Sequence, residues 1–290
     1  MSLSAEEGYE YNEELRIVLL GKTGVGKSAV GNTILGRKEL LSCPSSTSVT
    51  TDTVKKWTME DNKLVAVVDT PGLFDTEKPN EQIQEEIMKC IKFSCPGPHA
   101  FLVVMQLTRF TDEEQRCVEA LQEIFGEEAN KFMVVLFTRG DDLEGQTIQN
   151  FVNNAHPTLK EVIRKCGGRY HIFNNRDMSN RAQVKELLDI IDGMMALNGG
   201  GFYTQEMYEE AEAKIREKMA EIKRKESFSK TKNFWRGKDK EEKLCRELAE
   251  KSDLNCDFTE KLKQKVNSAY KVVKNVSVRT NKGASSHLHR

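Results

Sequence analysis

A glycine-rich octapeptide holds the residues of this chain whose types and spacing are best suited to chemistry. It reads GKTGVGKS and consists of Gly21, Lys22, Thr23, Gly24, Val25, Gly26, Lys27 and Ser28, followed by Ala29. Because glycine lacks a Cβ and adopts positive φ angles readily, such a loop can wrap its amide groups around an oxyanion. The motif predicts that Lys27 contacts the β- and γ-phosphates of a nucleotide and that the Ser28 hydroxyl ligates Mg²⁺.

A second motif lies at the end of the apolar run 64–68. There the sequence continues Asp69-Thr70-Pro71-Gly72, which is a DxxG motif. In GTPases an aspartate at this point lies near Mg²⁺, and the following glycine offers its amide to the γ-phosphate. We therefore expect Asp69 to act at the metal and Gly72 at the γ-phosphate, and the two motifs together predict a GTPase.

The segment 36–53 between these motifs is rich in Ser and Thr and poor in apolar residues. In a nucleotide-binding domain a mobile switch loop lies at this place, and one of its threonines completes the Mg²⁺ shell. Thr50, Thr51 and Thr53 are all candidates for that ligand, and Thr50 is the favoured one.

Recognition of the base is expected in the sequence TRGDDL at 138–143. A carboxylate that accepts hydrogen bonds from N1 and the 2-amino group of guanine distinguishes it from adenine. GTPases supply this carboxylate from an N/T-K-x-D element. If Arg139 and Gly140 stand in its Asn and Lys positions, Asp142 contacts the guanine, whereas a shift of one residue gives that role to Asp141.

Two further groups are expected around the base. Gly140 stands where a lysine stem usually covers the base, so Arg139 is expected to stack there instead. Asn174 and Asn175 follow the short predicted strand 170–173 and are expected to approach the other side of the base, partly through their backbone.

Strand-like and helix-like segments alternate along the chain. The predicted strands are 15–20, 54–60, 63–69, 100–105, 132–137 and 170–173, and the predicted helices are 29–35, 79–94, a helix after Thr111, 146–166 with a break at Pro157, and 183–197. Such alternation predicts an α/β domain, which is a P-loop GTPase domain with a doubly wound, mostly parallel six-stranded sheet and helices on both faces. In such sheets, ligands bind at the carboxyl ends of the strands.

Composition divides the 290 residues into three parts. The acidic stretch 1–12 is expected to be a disordered lead, 13–198 the nucleotide-binding domain, and 203–290 a basic extension of helices or coiled coil. Seven cysteines occur without a CxxC pair, and we see no signal peptide, so a reduced cytoplasmic compartment is expected. No apolar run approaches transmembrane length, so contact with a membrane is expected to be peripheral or through a partner.

The extension carries two apolar stripes at helical spacing. Three interpretations of these stripes are open: helices that pack back on the domain, a coiled coil that binds a partner, or a helix on a membrane surface. The block 223–240 places Phe228, Phe234 and Trp235 among basic residues, which favours an anionic surface but fits a linker equally well.

The motifs together resemble one protein family. The similarity is to the GTPases of immunity-associated proteins, also called immune-associated nucleotide-binding proteins, which are relatives of septins and chloroplast import receptors. It is carried by the stretches GKTGVGKSAVGNTILG, DTPGLFD, SCPGPHAFLVV, QLTRFTDEEQ, VVLFTRGDDL and CGGRYHIFNNR.

The resemblance implies binding of GTP or GDP with Mg²⁺, weak hydrolysis, and GTP-dependent dimers or oligomers, often at endomembranes. It also implies a nucleotide contact at Ser42 and heteromers with related GTPases. No nucleic-acid partner is expected. Gly140 departs from the family, which has a lysine there.

Leu73 stands where Ras-like enzymes have a water-orienting glutamine, so hydrolysis by the monomer is expected to be slow. An arginine delivered by a second molecule would raise the rate by about 10³- to 10⁵-fold. Arg109, which follows the predicted strand 100–105 closely, is the candidate, although it fits an ordinary surface loop equally well. The main hypothesis is a switch that assembles, the alternative is a septin-like scaffold that stays bound to GTP, and a P-loop ATPase is disfavoured.

Overall fold

Six runs of apolar and β-branched residues form a single sheet. The computed structural model describes residues 14–42, 50, 52–72, 80–108 and 110–204. The elements are β1 (Leu15–Leu20), α1 (Lys27–Leu35), β2 (Val54–Glu60), β3 (Lys63–Asp69), α2 (Asn80–Ser94), β4 (Ala100–Gln106), α3 (Asp112–Phe125), β5 (Met133–Thr138), α4 (Ile148–Asn153), α5 (Pro157–Lys165), β6 (Tyr170–Ile172) and α6 (Ala182–Leu197), with short 3₁₀ helices at Glu127–Phe132 and Gly140–Leu143.

The strand order is β2-β3-β1-β4-β5-β6. Only β2 runs antiparallel to its neighbour, and it joins β3 through Asp61 and Asn62, both at positive φ, as a two-residue hairpin requires. The other strand pairs are parallel. Because parallel strands begin and end together, β1, β3, β4 and β5 bring their carboxyl ends to one edge.

Helices cover both faces of the sheet. On one face α2, α3 and α5 pack against β1, β4 and β5. On the other face α1 and α6 pack against β1, β3 and β4. The central strands are therefore buried on both sides, which explains why their sequences are continuously apolar. The predicted α/β class, with a doubly wound and mostly parallel sheet, is confirmed.

Helix ends follow local capping chemistry. Thr111 and Glu114 form the predicted capping box at the start of α3. The predicted helix 146–166 is two helices, α4 and α5, because Pro157 begins a new helix instead of continuing the old one. Helix α1 begins at Lys27, two residues earlier than predicted, because Gly26 adopts a left-handed conformation and ends the loop there.

The packed domain continues beyond residue 198, where its sequence composition changes. Tyr203 is buried, its amide donates to the carbonyl of Pro98 at 2.9 Å, and its hydroxyl donates to the carbonyl of Phe125. Its ring lies 5.4 Å from that of Phe101. The predicted lead 1–12 and nearly all of the extension 203–290 lie outside the described residues. None of the helices in the described part of the chain is long and apolar enough to cross a membrane.

Candidate nucleotide-binding site

The octapeptide GKTGVGKS forms a loop between β1 and α1, at the carboxyl edge of the sheet. Gly21 is required there, because its φ is 146° and a Cβ on it would lie 2.5 Å from the carbonyl oxygen of Val104. Lys27 is buried, and its Nζ donates to the carbonyls of Gly21 at 3.1 Å and Lys22 at 2.9 Å. The loop therefore holds a buried ammonium group above its own backbone.

Ser28 is the centre of a cluster of oxygen atoms beside this loop. Its hydroxyl donates to Oδ2 of Asp69 at 2.6 Å and lies 2.9 Å from Oγ1 of Thr50. Ser28 comes from the first turn of α1, Asp69 from the last position of β3, and Thr50 from the segment before β2. The fold thus brings together the three residues predicted to ligate Mg²⁺.

Asp69 is incompletely satisfied in this cluster. Its Oδ1 atom is buried and has no hydrogen-bond partner, and no other side-chain oxygen or nitrogen in the described residues is in that condition. Burial raises the pKa of Asp69 to about 6, against the opposing effects of the Ser28 hydrogen bond and the Lys27 charge. Carboxylate and hydroxyl oxygens are the ligands that Mg²⁺ prefers, so the donor set fits this ion.

The structure separates the candidate switch threonines. Thr50 lies against Ser28, whereas Thr53 is directed away to α2, where its hydroxyl donates to Oε2 of Glu86 at 2.8 Å. Thr51 lies outside the described residues. Thr50 is therefore the one of the two described threonines that reaches the oxygen cluster.

The DxxG segment packs directly on the loop. A Cβ on Gly72 would lie 1.9 Å from Oγ1 of Thr23, so only glycine allows this approach. The hydroxyl of Thr70 donates to the carbonyl of Leu19 at 2.6 Å and fixes the segment to the end of β1. These contacts place the amide of Gly72 next to the loop.

Both candidate guanine-binding aspartates lie in the 3₁₀ turn after β5. Asp141 has a side chain 22% exposed and pairs with Arg176 at 2.7 Å. Asp142 is 44% exposed and lies 3.9 Å from Arg139. Arg139 has a φ of 63°, and the amide of Gly140 donates to the carbonyl of Phe173 at 2.9 Å.

Thr138 is a functional candidate that the sequence analysis missed. Its hydroxyl donates to the carbonyl of Val25 at 2.9 Å and approaches that of Met105 at 3.3 Å. The end of β5 is thereby tied to the phosphate-binding loop. The signal was present in the sequence, because a threonine is allowed at the first position of the N/T-K-x-D element.

The asparagines after β6 lie between α1 and α6. Asn175 accepts at 2.8 Å from the hydroxyl of Thr33, which belongs to α1. The amide of Asn174 donates to Oε1 of Gln183 at 2.9 Å, and Gln183 Nε2 donates to the carbonyl of Asp177 at 2.9 Å. Thr33 and Gln183 were not predicted, since neither belongs to a contiguous motif.

The remaining predicted residues are placed as follows. Gly24 is exposed, Val25 is buried, and Ala29 lies in the first turn of α1. Ser42 lies on the surface. Arg109 and Leu73 fall outside the described residues.

Comparison with known protein families matches the AIG1 family model to residues 15–223, which is most of the chain. The chain belongs to the AIG1 family. The resemblance drawn from the motifs is confirmed, and its relatives carry the names expected for that family.

Two of these relatives show the extent of the similarity. Immune-associated nucleotide-binding protein 9 of Arabidopsis thaliana is 36% identical over 238 residues, covering 77% of this chain and 70% of that protein. GTPase IMAP family member 8 of Homo sapiens is 36% identical over 194 residues, covering 66% of this chain. The match spans only 29% of that human protein's length.

A solved structure of the chloroplast translocon components atToc33 and psToc159, for which dimerization is described as important for GTPase activity, has a similar fold. Its TM-score is 0.50 at 19% sequence identity, covering 62% of this chain and 82% of the other. Identity at this level shows a common fold and nothing finer.

Proposed function

We propose that this AIG1-family chain is a guanine-nucleotide switch that binds GTP or GDP together with Mg²⁺. The observation that carries the proposal is the cluster of Ser28, Thr50 and Asp69 beside the phosphate-binding loop, with one buried Asp69 oxygen that has no partner. An unsatisfied buried carboxylate oxygen is costly, and a cation with its ligands would remove that cost.

The residues that would hold Mg²⁺ are Ser28 and Thr50 through their hydroxyls and Asp69 through its carboxylate. The ion would neutralise charge on the phosphate oxygens. Lys27 would exchange its backbone carbonyl partners for phosphate oxygens, which form stronger, charge-assisted hydrogen bonds. The amide of Gly72, which lies next to the loop, would contact the γ-phosphate and so distinguish GTP from GDP.

Contacts around β5 favour Asp141 as the residue that binds guanine. Thr138 holds the loop through Val25, so it fits the first position of the N/T-K-x-D element, and counting from it makes Asp141 the carboxylate. Arg139 then stands in the lysine position. Asp141 is also the less exposed of the two aspartates.

A change of base distinguishes the two aspartates. Xanthine has an oxygen where guanine has its 2-amino group, so an asparagine amide can donate to xanthine. We expect Asp141→Asn to weaken GDP binding and to strengthen binding of xanthosine diphosphate, while Asp142→Asn leaves both nearly unchanged. The reverse pattern would assign the base to Asp142.

The proposal as a whole is tested by titrating the purified protein with fluorescent guanine and adenine nucleotides in Mg²⁺. We expect guanine nucleotides to bind and adenine nucleotides to bind at least about 100-fold more weakly. Ser28→Ala should weaken binding by about tenfold, since it removes a metal ligand. Ser94→Ala is the matched control, because Ser94 is buried in α2 and donates to the carbonyl of Cys90. Equal binding of both bases would overturn the proposal.

Assembly and turnover form the second part of the proposed switch. We propose that the protein forms homodimers or oligomers through its nucleotide face and heteromers with related GTPases. We also propose that it is cytoplasmic and contacts anionic endomembranes peripherally. Slow hydrolysis is expected because Leu73 replaces the water-orienting glutamine. Light scattering in GDP and in a GTP analogue tests nucleotide-dependent assembly, and vesicle co-sedimentation with and without anionic lipid tests the membrane contact.

Single-turnover hydrolysis across protein concentrations tests Arg109 as the arginine supplied by the second molecule. We expect the wild-type rate to rise with concentration and the Arg109→Ala rate to stay flat. Rates that are equal in both proteins and independent of concentration would remove Arg109 from this role. An assembled protein that retains GTP without turnover would instead indicate the septin-like scaffold.

A further inference from the structure

The segment that carries Thr50 is attached to helix α2. Thr53 is buried, and its amide and hydroxyl both donate to Oε2 of Glu86, at 2.7 and 2.8 Å. Its hydroxyl also lies 3.3 Å from the main-chain carbonyl of the same glutamate. Glu86 therefore contacts Thr53, which lies three residues after Thr50, through both its carboxylate and its main chain.

The second oxygen of Glu86 completes the attachment. Oε1 accepts from Nζ of Lys89 at 2.7 Å, and the same ammonium donates to Oδ1 of Asp52 at 2.8 Å. Partial burial lowers the pKa of Lys89, but the bonds to Asp52 and Glu86 raise it on balance. Two side chains of α2 thus hold two consecutive residues of the segment before β2.

Burial shows that Glu86 is no incidental surface partner. Its side chain is 4% exposed, although glutamate is rarely buried so completely. A carboxylate in that position is stable only when its oxygens are fully hydrogen-bonded, and the Thr53 amide, the Thr53 hydroxyl and the Lys89 ammonium meet that need. Moving residues 52–53 away from α2 would leave the carboxylate without these donors.

We propose that Glu86 is a positioning residue that holds Thr50 at the metal cluster by fixing residues 52–53 to α2. This rests on the proposed function, since Thr50 matters only if Mg²⁺ and a nucleotide bind beside Ser28. Among the described residues, helix α2 is the first helix after the DxxG motif, so the attachment links the two segments that would contact the γ-phosphate. In GTPases these segments are ordered by the triphosphate and released in the diphosphate state.

The attachment should therefore affect triphosphate binding more than diphosphate binding. A segment that Glu86 already fixes loses less conformational entropy when Thr50 binds the metal. Once the segment is loosened, the ordering cost falls on GTP, whereas with GDP the segment is released, Thr50 leaves the metal, and Mg²⁺ keeps Ser28 and Asp69. The ratio of the two affinities is the quantity that reports on Glu86.

The test compares Glu86→Gln with Glu85→Gln. Glu85 is its exposed neighbour on the same helix and provides a matched control. We expect Glu86→Gln to weaken binding of a non-hydrolysable GTP analogue with Mg²⁺ by about tenfold while GDP affinity changes by less than about twofold. Glu85→Gln should leave both affinities and their ratio at the wild-type values.

A double-mutant cycle with Thr53→Val identifies the partner. If Thr53 and Glu86 act as one unit, the double variant loses no more GTP-analogue affinity than the single variants, and Thr53→Ser keeps most of it. Thr53→Val also gives a reading if Glu86→Gln does not fold. Additive losses would contradict the proposal.

The outcomes separate this proposal from the proposed function. Equal weakening of GTP analogue and GDP by Glu86→Gln, or no change in either, overturns the positioning role while leaving a guanine-nucleotide site in place. Wild-type protein that binds neither nucleotide overturns the proposed function itself.

Discussion

The two ends of the parallel sheet bury charged groups in different ways. At the amino end, Nε of Arg16 donates to the carbonyl of Gly97 at 2.6 Å, and the guanidinium lies 4.9 Å from the centre of the Phe202 ring. His99 accepts from the Arg16 amide at 3.0 Å. The guanidinium also donates to the carbonyl of Glu14 and lies 3.8 Å from its carboxylate, so the charge at this end is paired within the protein.

At the carboxyl end the hydrogen bonds of Asp69 are incomplete. Asp69 buries an oxygen atom that has no hydrogen bond, and Lys27 directs its ammonium to main-chain carbonyls of its own loop. The comparison teaches that burial of charge alone does not identify a binding site. A buried charge that is satisfied by the protein needs no ligand, whereas a buried carboxylate oxygen left without a hydrogen bond is a candidate ligand contact.

The largest expected effect is on nucleotide binding at the carboxyl end. Lys27→Ala should weaken GDP affinity by about 100- to 1000-fold, because it removes a buried cation from the phosphates. The measurement is a fluorescence titration with Mg²⁺. Lys38→Ala, which changes an exposed lysine beyond α1, is the control and should leave affinity unchanged. A loss of less than about threefold for Lys27→Ala would show that Lys27 does not contact phosphate.

The second effect is on stability at the amino end. Arg16→Ala should lower the free energy of unfolding by about 3 kcal/mol, because it removes a buried hydrogen-bonded charge. Arg164→Ala is the control, since Arg164 pairs with Glu161 on the surface, and should leave the free energy of unfolding nearly unchanged. Urea denaturation measures both. Folded Arg16→Ala protein should bind GDP as wild type does. A large loss of GDP affinity would show that the amino end also contributes to nucleotide binding.

The two ends should also respond to pH in opposite directions. Burial raises the pKa of Asp69 to about 6, so its contribution to stability is largest in acid and is lost as pH rises through that value. Burial, assisted by the Arg16 charge, lowers the pKa of His99 to about 4, so its contribution is present at neutral pH and is lost as pH falls through that value.

Each group should change the free energy of unfolding by about 2 to 3 kcal/mol across its range. Because the two pH ranges overlap and the effects have opposite signs, they largely cancel in wild type, so denaturation of each nucleotide-free variant between about pH 4 and 7.5 is compared with wild type. Asp69→Asn should remove the loss on going to neutral pH, and His99→Gln the loss on going to acid. His156→Asn, at the exposed cap of α5, should remove neither. Unchanged slopes in the first two variants would contradict both assignments.

A smaller effect on the free energy of unfolding is expected at Tyr203, in the segment that follows α6. Tyr203→Phe should lower the free energy of unfolding by about 1 kcal/mol, because it leaves the carbonyl of Phe125 without its donor. Tyr170→Phe removes a hydroxyl that bonds to Gln149 at the surface and should cost less than about 0.5 kcal/mol. Equal values for the two variants would show that the buried hydroxyl bond of Tyr203 adds no more stability than a surface one.

Contiguous motifs made much of this molecule predictable. The eight residues from Gly21 to Ser28 carry their own chemistry and need only a preceding strand and a following helix, and both are present. The continuous apolar runs of β1, β4 and β5 likewise predict strands covered on both faces, because they are short and rich in β-branched and aromatic residues.

Contacts between distant segments could not be predicted in the same way. Thr50 and Thr53 are the same residue type in one loop, and only the position of Glu86 on α2 separates them. Thr138 contacts a loop far away in sequence, whereas Gln183 binds the turn just before its own helix through Asn174 and Asp177. Tyr203 follows a glycine triplet that suggests a boundary, yet its ring enters a pocket formed by three other elements of the domain.

The central claim is that a metal-bound guanine nucleotide completes the partners of Asp69. The most direct measurement is calorimetric titration of a non-hydrolysable GTP analogue into wild-type and Asp69→Asn protein, each with Mg²⁺ and with a chelator. We expect Mg²⁺ to raise wild-type affinity by at least about tenfold and to leave the Asp69→Asn affinity nearly unchanged. The same Mg²⁺ enhancement in both proteins, or none in wild type, would contradict it.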